Sequence, residues 1–143
     1  MNNLLQTLNS PIELGTRCSL ILTSIGKELS IDELVSLDYA LLYSEEFGGP
    51  RSLHPALPNH IAEIAHRREY LPKALSLFIQ KGVVSVQAKD TGYYYSSNER
   101  TLDFVSCLQQ PYFRKAWIVL DWISENYQWL TDIQLTRLKE REL

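Results

Sequence analysis

Three histidines and two cysteines are the residues of this 143-residue chain best suited to hold a metal or to act as nucleophiles. The histidines, His54, His60 and His66, are six residues apart each time, unlike the His-Glu-x-x-His spacing that puts two zinc ligands on one helical face. We interpret them as capping or surface residues. Cys18 and Cys107 lie far apart in apolar stretches, which predicts two buried hydrophobic side chains rather than a metal pair or a redox motif.

The glycine pair before Pro50 is the segment that most resembles a phosphate-binding loop. It lacks a following Lys-Ser or Lys-Thr, and the proline removes one backbone amide from any nest around a phosphate. No nucleophile with a base, and no pair of carboxylates, converges elsewhere in the sequence. We therefore expect no catalytic site, no cofactor and no enzymatic activity.

Positive charge is densest around residues 66–68. The candidates for contact with DNA or with a partner protein are Arg67, Arg68, Lys73 and Lys89. The two arginines can instead pair with Glu63, Glu69 or a carboxylate of a partner, and we favour this alternative. A net charge of −3 and a pI near 5.6 give the chain no overall positive field to attract a phosphate backbone.

Capping signals place these residues on a helical frame. Ser10–Glu13 and Ser30–Glu33 each combine a capping hydroxyl with a carboxylate three residues on, which predicts two helix starts. A third helix follows Asn59, and Pro72 predicts a break or a new start near residues 68–72. Residues 48–58 read as an ordered, proline-rich loop.

The second half of the chain changes from strand-like to helical. Residues 83–97 combine β-branched and aromatic residues around a turn and predict a β-hairpin, whose three tyrosines must alternate between core and surface. Asn98 predicts the start of a short helix and Pro111 that of a long one. Residues 131–143 read as a further short amphipathic helix, either docked on another subunit or solvated.

This order predicts a mainly α fold with a small β-hairpin. We expect a winged helix-turn-helix domain at residues 8–97 and a C-terminal helical extension at residues 98–143 packed on it. An apolar content of 45% supports a real core, and no apolar run approaches the ~20 residues that cross a bilayer. We expect a cytoplasmic protein with reduced thiols.

Several strings of residues carry a resemblance to a known family. They are Leu8–Gly15 with Arg17, Leu37–Tyr39 with Leu41 and Leu42, Phe47–Pro50, Ser52–Pro58, and Arg67 with Arg68. On these residues the chain resembles the middle components of ABC three-component systems, including the small third subunit of Lamassu-type anti-phage defence.

The resemblance implies a non-enzymatic winged-helix adaptor that joins an ATPase of the SMC or Rad50 type to an effector, often a nuclease, and that helps the complex to clamp DNA. The expected partner interface is the loop with its flanking aromatic residue: Phe47, Gly48, Gly49, Pro50, Leu53, His54, Pro55, Leu57 and Pro58. The alternative is a stand-alone winged-helix transcriptional regulator, which would need a dimer and a basic helix in the major groove.

Overall fold

A computed structural model of the chain describes residues 10–55 and 60–142. Over these residues it contains five α-helices, a short 3-10 helix and three β-strands. In chain order they are α1 (Pro11–Ile25), β1 (Leu29–Ser30), α2 (Ile31–Leu42), the 3-10 helix (Ser44–Phe47), α3 (His60–Gln80), β2 (Ser85–Lys89), β3 (Gly92–Ser96), α4 (Glu99–Ser106) and α5 (Pro111–Glu142).

The predicted caps begin helices α1, α2 and α4. The Ser10 hydroxyl accepts a hydrogen bond from the Glu13 amide at 3.2 Å, which confirms the first helix start. Ser30 and Glu33 form a reciprocal capping box at the start of α2. Asn98 accepts hydrogen bonds from two amides of α4. These side chains satisfy amides that have no partner within their helices.

Helix α3 continues through Pro72, so the predicted break near residues 68–72 is wrong. A proline inside a helix loses one backbone hydrogen bond and crowds the preceding turn. Here Pro72 is on the exposed side of the helix, while Leu71 and Leu75 are completely buried on either side of it. The burial of these neighbours offsets the local cost and keeps the helix intact.

Residues 85–96 form the predicted hairpin, and a strand that the sequence did not indicate adds to it. The strand order is β1–β3–β2 and both pairings are antiparallel, with Tyr95 opposite Leu29 on one side and Val86 on the other. The tyrosines alternate as expected: Tyr95 belongs to the core, whereas Tyr93 is 63% exposed. The two-residue strand β1 is too short to show a period-two pattern.

Helix α5 runs without interruption to Glu142, so residues 131–142 are not a separate helix as predicted. Leu130, Thr131 and Gln134 are buried. The Gln134 side-chain amide donates to the Ser36 backbone carbonyl at 2.9 Å, which attaches this part of α5 to α2. Part of the segment that looked unplaced therefore packs on the body of the protein.

A single hydrophobic core joins all five helices and the sheet. Helices α1 and α3 approach closely at Gly15, where an added Cβ would lie 2.2 Å from the Phe78 ring. Cys18 lies in this core as predicted. Cys107 is exposed, so its predicted burial is wrong: it follows the last turn of α4 and lies outside the core cluster.

Candidate functional site

A buried group of charges connects the first three helices. The Asp38 carboxylate of α2 accepts two hydrogen bonds from Arg17 of α1, at 2.6 and 3.1 Å, and one from Nε of Arg67 of α3 at 2.9 Å. A second arm of Arg67 donates to Glu63 at 2.7 Å. We call these four residues the Asp38 cluster. Ion pairs this deeply buried require good geometry, and the three bonds to Asp38 are all between 2.6 and 3.1 Å long.

The charges of the Asp38 cluster hold one another in their ionised forms. Burial alone would raise the pKa of Asp38, but the guanidinium groups of Arg17 and Arg67 outweigh burial and lower it. Burial likewise opposes the charge on Arg17, and the facing carboxylate of Asp38 raises the Arg17 pKa nevertheless. Removing one member would leave the others charged in an apolar interior.

Arg67 is therefore a structural residue in this fold. Its side chain is completely buried, and the rings of Tyr39 and Tyr43 lie 5.7 and 5.9 Å from its guanidinium carbon. This burial corrects the sequence-based candidacy of Arg67 for contact with DNA or a partner, because no part of the side chain reaches the surface. Its pairing with Glu63 is the alternative that the sequence favoured.

The other three cationic candidates are at the surface, and each has a partner within the chain. Arg68 pairs with Asp32 at 2.8 Å rather than with a glutamate of its own helix. Lys73 is 5.1 Å from the centre of the Tyr70 ring. Lys89 of the hairpin pairs with Glu28, which lies just before β1. The structure thus buries one of the four cations and gives each of the other three a partner within the chain.

Hydrogen bonds within residues 44–55, the segment that follows α2, fix the conformation of this loop. Gly48 adopts a positive φ of 76° and ends the 3-10 helix. The Ser44 hydroxyl donates to the Pro50 carbonyl at 2.7 Å. Glu45 and Ser52 exchange two hydrogen bonds, each from a backbone amide to the other's side chain. These bonds satisfy backbone polar groups in a segment where prolines and glycines prevent a regular helix or strand.

Side chains of helix α5 pack against this loop. An added Cβ at Gly49 would lie 2.7 Å from ring atoms of Trp122, so a larger residue here would require the Trp122 ring to move. The His54 amide donates to the Leu42 carbonyl at 3.2 Å, and its ring nitrogen is 3.4 Å from the Tyr112 hydroxyl. Burial, followed by the charges of the two cluster arginines, lowers the pKa of His54. The His54 ring is thus neutral at pH 7.

An open groove of about 600 Å³ lies between this loop and α5. We call it the loop groove. Its lining includes Arg51, Leu53 and Pro55 from the loop and Lys115, Ile118 and Val119 from α5. Val119 is buried, whereas Ile118 is 62% exposed and points away from the core side of its helix. The loop groove is a concave surface lined by both apolar and charged side chains.

The loop groove brings together part of the predicted partner interface. Pro50, Leu53, His54 and Pro55 line it. Phe47, Gly48 and Gly49 belong to the adjacent turn, and Phe47 packs on the core with Arg137 5.8 Å from its ring centre. Leu57 and Pro58 lie outside the described residues. Sequence reasoning missed Lys115 and Ile118. Ile118 is an apolar residue that lies outside the apolar stripe of its helix, formed by Ala116, Leu120 and Ile123, and this position could have indicated an exposed apolar side chain.

The remaining chemical candidates do not converge. No group of three or more histidine, cysteine or acidic residues that could hold a metal occurs in the described parts of the chain. His54 lines the loop groove, and the side chain of His60 lies outside the described set. The rings of His66 and Tyr70 are in tilted contact, with their centres 4.4 Å apart. Among the helices that the structure describes, none is long and apolar enough to cross a membrane.

A comparison with protein families decides the assignment. The sequence model of ABC-three component (ABC-3C) system Middle Component 2 matches residues 7–143, nearly the whole chain. The chain belongs to this family. No curated protein and no solved structure matches it.

The residues that carried the resemblance have two different roles in this middle component. Gly15, Arg17, Asp38 and Arg67 lie in the interior, where they fix the packing of α1, α2 and α3. The string from Phe47 to Pro55 instead forms the ordered loop and one wall of the loop groove. The first set specifies the fold, and the second shapes a surface.

Proposed function

We propose that this middle component is a non-catalytic adaptor, the small subunit of a Lamassu-type anti-phage complex. It links an SMC- or Rad50-like ATPase to an effector, which we take to be a nuclease, and acts in the cytoplasm. The observation that carries the proposal is the family match over residues 7–143, since a middle component is part of a multi-subunit system. The loop groove is the surface through which we expect it to bind another subunit.

We further propose that residues 8–97 are a winged-helix domain and that residues 98–143 are an extension packed on it. The element order supports this: helix, strand, two helices and a hairpin, with the first strand pairing beside the hairpin in the order β1–β3–β2. In such a domain α3 would be the recognition helix and residues 83–97 the wing. Any help in clamping DNA would come through the assembled complex.

The ion pairs formed by the candidate DNA-contacting residues favour the adaptor over a stand-alone DNA-binding regulator. Arg67 is buried, and Arg68 and Lys89 are paired with carboxylates. Phosphate contacts by these residues would first have to break those pairs. The overall charge of −3 adds no compensating attraction.

Co-expression with the products of the two neighbouring genes tests the proposal. We expect a stable complex that contains all three chains, and no ATP hydrolysis by this chain alone. A gel-shift series with duplex DNA at increasing salt serves as the counter-test. A shift by the isolated chain that weakens steeply with salt, together with no co-purifying ATPase, would identify a regulator instead.

A further inference from the structure

We propose that the outward side of helix α5 binds a basic segment of another subunit that also carries an apolar side chain. This inference rests on the proposed function only for the statement that the partner is a subunit of the same system. The chemistry of the segment follows from five residues that we call the α5 outer face: Ile118, Asp121, Glu125, Trp129 and Asp132.

The residues of the α5 outer face lie on one side of their helix. They follow one another at intervals of three or four positions, the spacing that aligns side chains along a helix, and all of them are exposed. The side of α5 that packs on the core carries instead the buried residues Ala116, Val119, Leu120, Ile123 and Leu130. Within the described parts of the chain, the α5 outer face is therefore uncovered.

Two apolar side chains of the α5 outer face are open to water. Ile118 is 62% exposed and Trp129 is 49% exposed. Single exposed apolar residues are common on protein surfaces. These two differ because they share one side of one helix, and because Ile118 also lines the loop groove, so that the α5 outer face continues from a concave surface. A partner that covered this face would remove both side chains from water.

The α5 outer face carries negative charge. Asp121, Glu125 and Asp132 form no ion pair with any residue that the structure describes. Positions 116–136 of the sequence contain no lysine, arginine or histidine. The helix therefore supplies no cation of its own between these three carboxylates.

The cations at the start of α5 do not neutralise this charge. Arg114 lies seven positions before Asp121, which is about 10 Å along the helix axis. Lys115 lines the loop groove, where two cations and two glutamates leave no net charge at neutral pH. The carboxylates of the α5 outer face thus set the sign of its charge.

This charge decides between the possible occupants. The three carboxylates would repel the phosphates of a nucleic acid. A second copy of the chain, paired through the same face by two-fold symmetry, would bring six carboxylates together. A segment with lysine or arginine beside an apolar side chain instead meets both properties of the α5 outer face.

Trp129 is the position where we expect a cation of the partner. Glu125 precedes it by four positions and Asp132 follows it by three, so both carboxylates are its neighbours on the helix surface. A lysine or arginine over the indole ring would gain the attraction of the ring together with that of the two carboxylates. We place the apolar side chain of the segment against Ile118, at the other end of the face.

Photo-crosslinking in the co-expressed complex locates the occupant. p-Benzoylphenylalanine replaces Trp129, and in a matched control it replaces Tyr93, an exposed aromatic residue of β3. We expect mass spectrometry to map the Trp129 crosslink to one segment of another subunit that contains lysine or arginine, and this crosslink to be absent from the control. A crosslink to a segment without these residues, to DNA, to a second copy, or to no subunit of an intact complex would overturn the inference.

Charge reversal measures the contribution of the carboxylates. We expect Glu125→Lys to weaken binding of the partner subunit by about tenfold, and more at low salt than at high salt. Asp103→Lys, at an exposed position of α4, changes the net charge of the chain equally and should have little effect. Equal affinities for the two variants would overturn the inference while the complex, and with it the proposed function, stood. Failure of the wild-type chain to bind any subunit would instead overturn both.

Discussion

The Asp38 cluster and the loop groove use the same kind of side chain in opposite ways. In the cluster, Arg17 and Arg67 are buried against a shared carboxylate. In the loop groove, Arg51 is exposed and makes no ion pair with a described residue. The difference lies in the position of the carboxylates: α2 places Asp38 between two arginines, whereas no carboxylate of a described residue forms an ion pair with Arg51.

This contrast separates residues that hold the fold from residues available to a partner. Cluster substitutions should change stability first and binding only through it. Groove substitutions should change binding and leave the isolated chain folded. Each experiment below either sharpens that separation or removes it.

The largest effect should follow from removal of the shared carboxylate. Asp38→Ala leaves two buried guanidinium groups without their partner and should lower the free energy of unfolding by about 3–5 kcal/mol. Urea denaturation followed by circular dichroism measures it. A loss below about 1 kcal/mol would show that the Asp38 cluster is as weakly coupled as a surface ion pair and would remove the contrast.

A second effect should come from the two close glycines. Gly15→Ala drives a methyl group into the buried Phe78 ring, so we expect a loss of about 1–3 kcal/mol in the same assay. Gly49→Ala should cost less, because the Trp122 ring it meets is only partly buried and can yield. The Gly49 variant should still weaken subunit binding, since it displaces the wall of the loop groove. A reversed order of stabilities would contradict the assignment of these two sites.

Acid should weaken the fold through Asp38. The pKa of this carboxyl is lowered in the folded chain, so below its unfolded pKa, about 3.9, the unfolded state binds more protons. The stabilisation by Asp38 is complete above that pH and is lost as the pH falls towards the folded pKa. The slope attributable to this one proton is at most about 1.4 kcal/mol per pH unit. Urea titrations between pH 5 and 2, at roughly unit steps, should show a steeper decline for wild type than for Asp38→Asn.

The smallest effect should be at the surface pair. Asp32→Ala removes the partner of Arg68, and both side chains are nearly half exposed, so the change should stay within about 0–1 kcal/mol. Asp32 and Asp38 lie on the same helix, which makes this variant the matched control for Asp38→Ala. A loss as large as that of Asp38→Ala would mean that exposure does not separate the two kinds of charge.

Local signals in the sequence predicted most of the helix starts and the hairpin. Ser10, Ser30 and Asn98 cap their helices through hydrogen bonds to nearby residues, which a short window of sequence can show. Pro72 misled because its effect depends on burial of the residues around it. The path of residues 131–142 depends on contacts such as that of Gln134 with Ser36, 98 positions apart in the chain.

The candidate site was predicted only in part, and for the same reason. The composition of residues 47–55 predicted a loop, but the second wall of the loop groove comes from α5, about 60 residues later in the chain. Arg67 also pairs with Asp38, 29 positions away, and the sequence indicated only its pairing with the nearby Glu63. A run of cations in a sequence does not show which of them a distant carboxylate will bury.

One measurement on two variants tests most directly whether this protein acts through the loop groove. Ile118→Glu and Leu102→Glu each place a charge at an exposed apolar helical position, inside and outside the loop groove. Unfolding free energy and affinity for the co-expressed subunits are measured for both. We predict that the two unfolding free energies stay close to wild type and that only Ile118→Glu loses affinity, by about 100-fold. Equal affinity for the two variants would contradict the account.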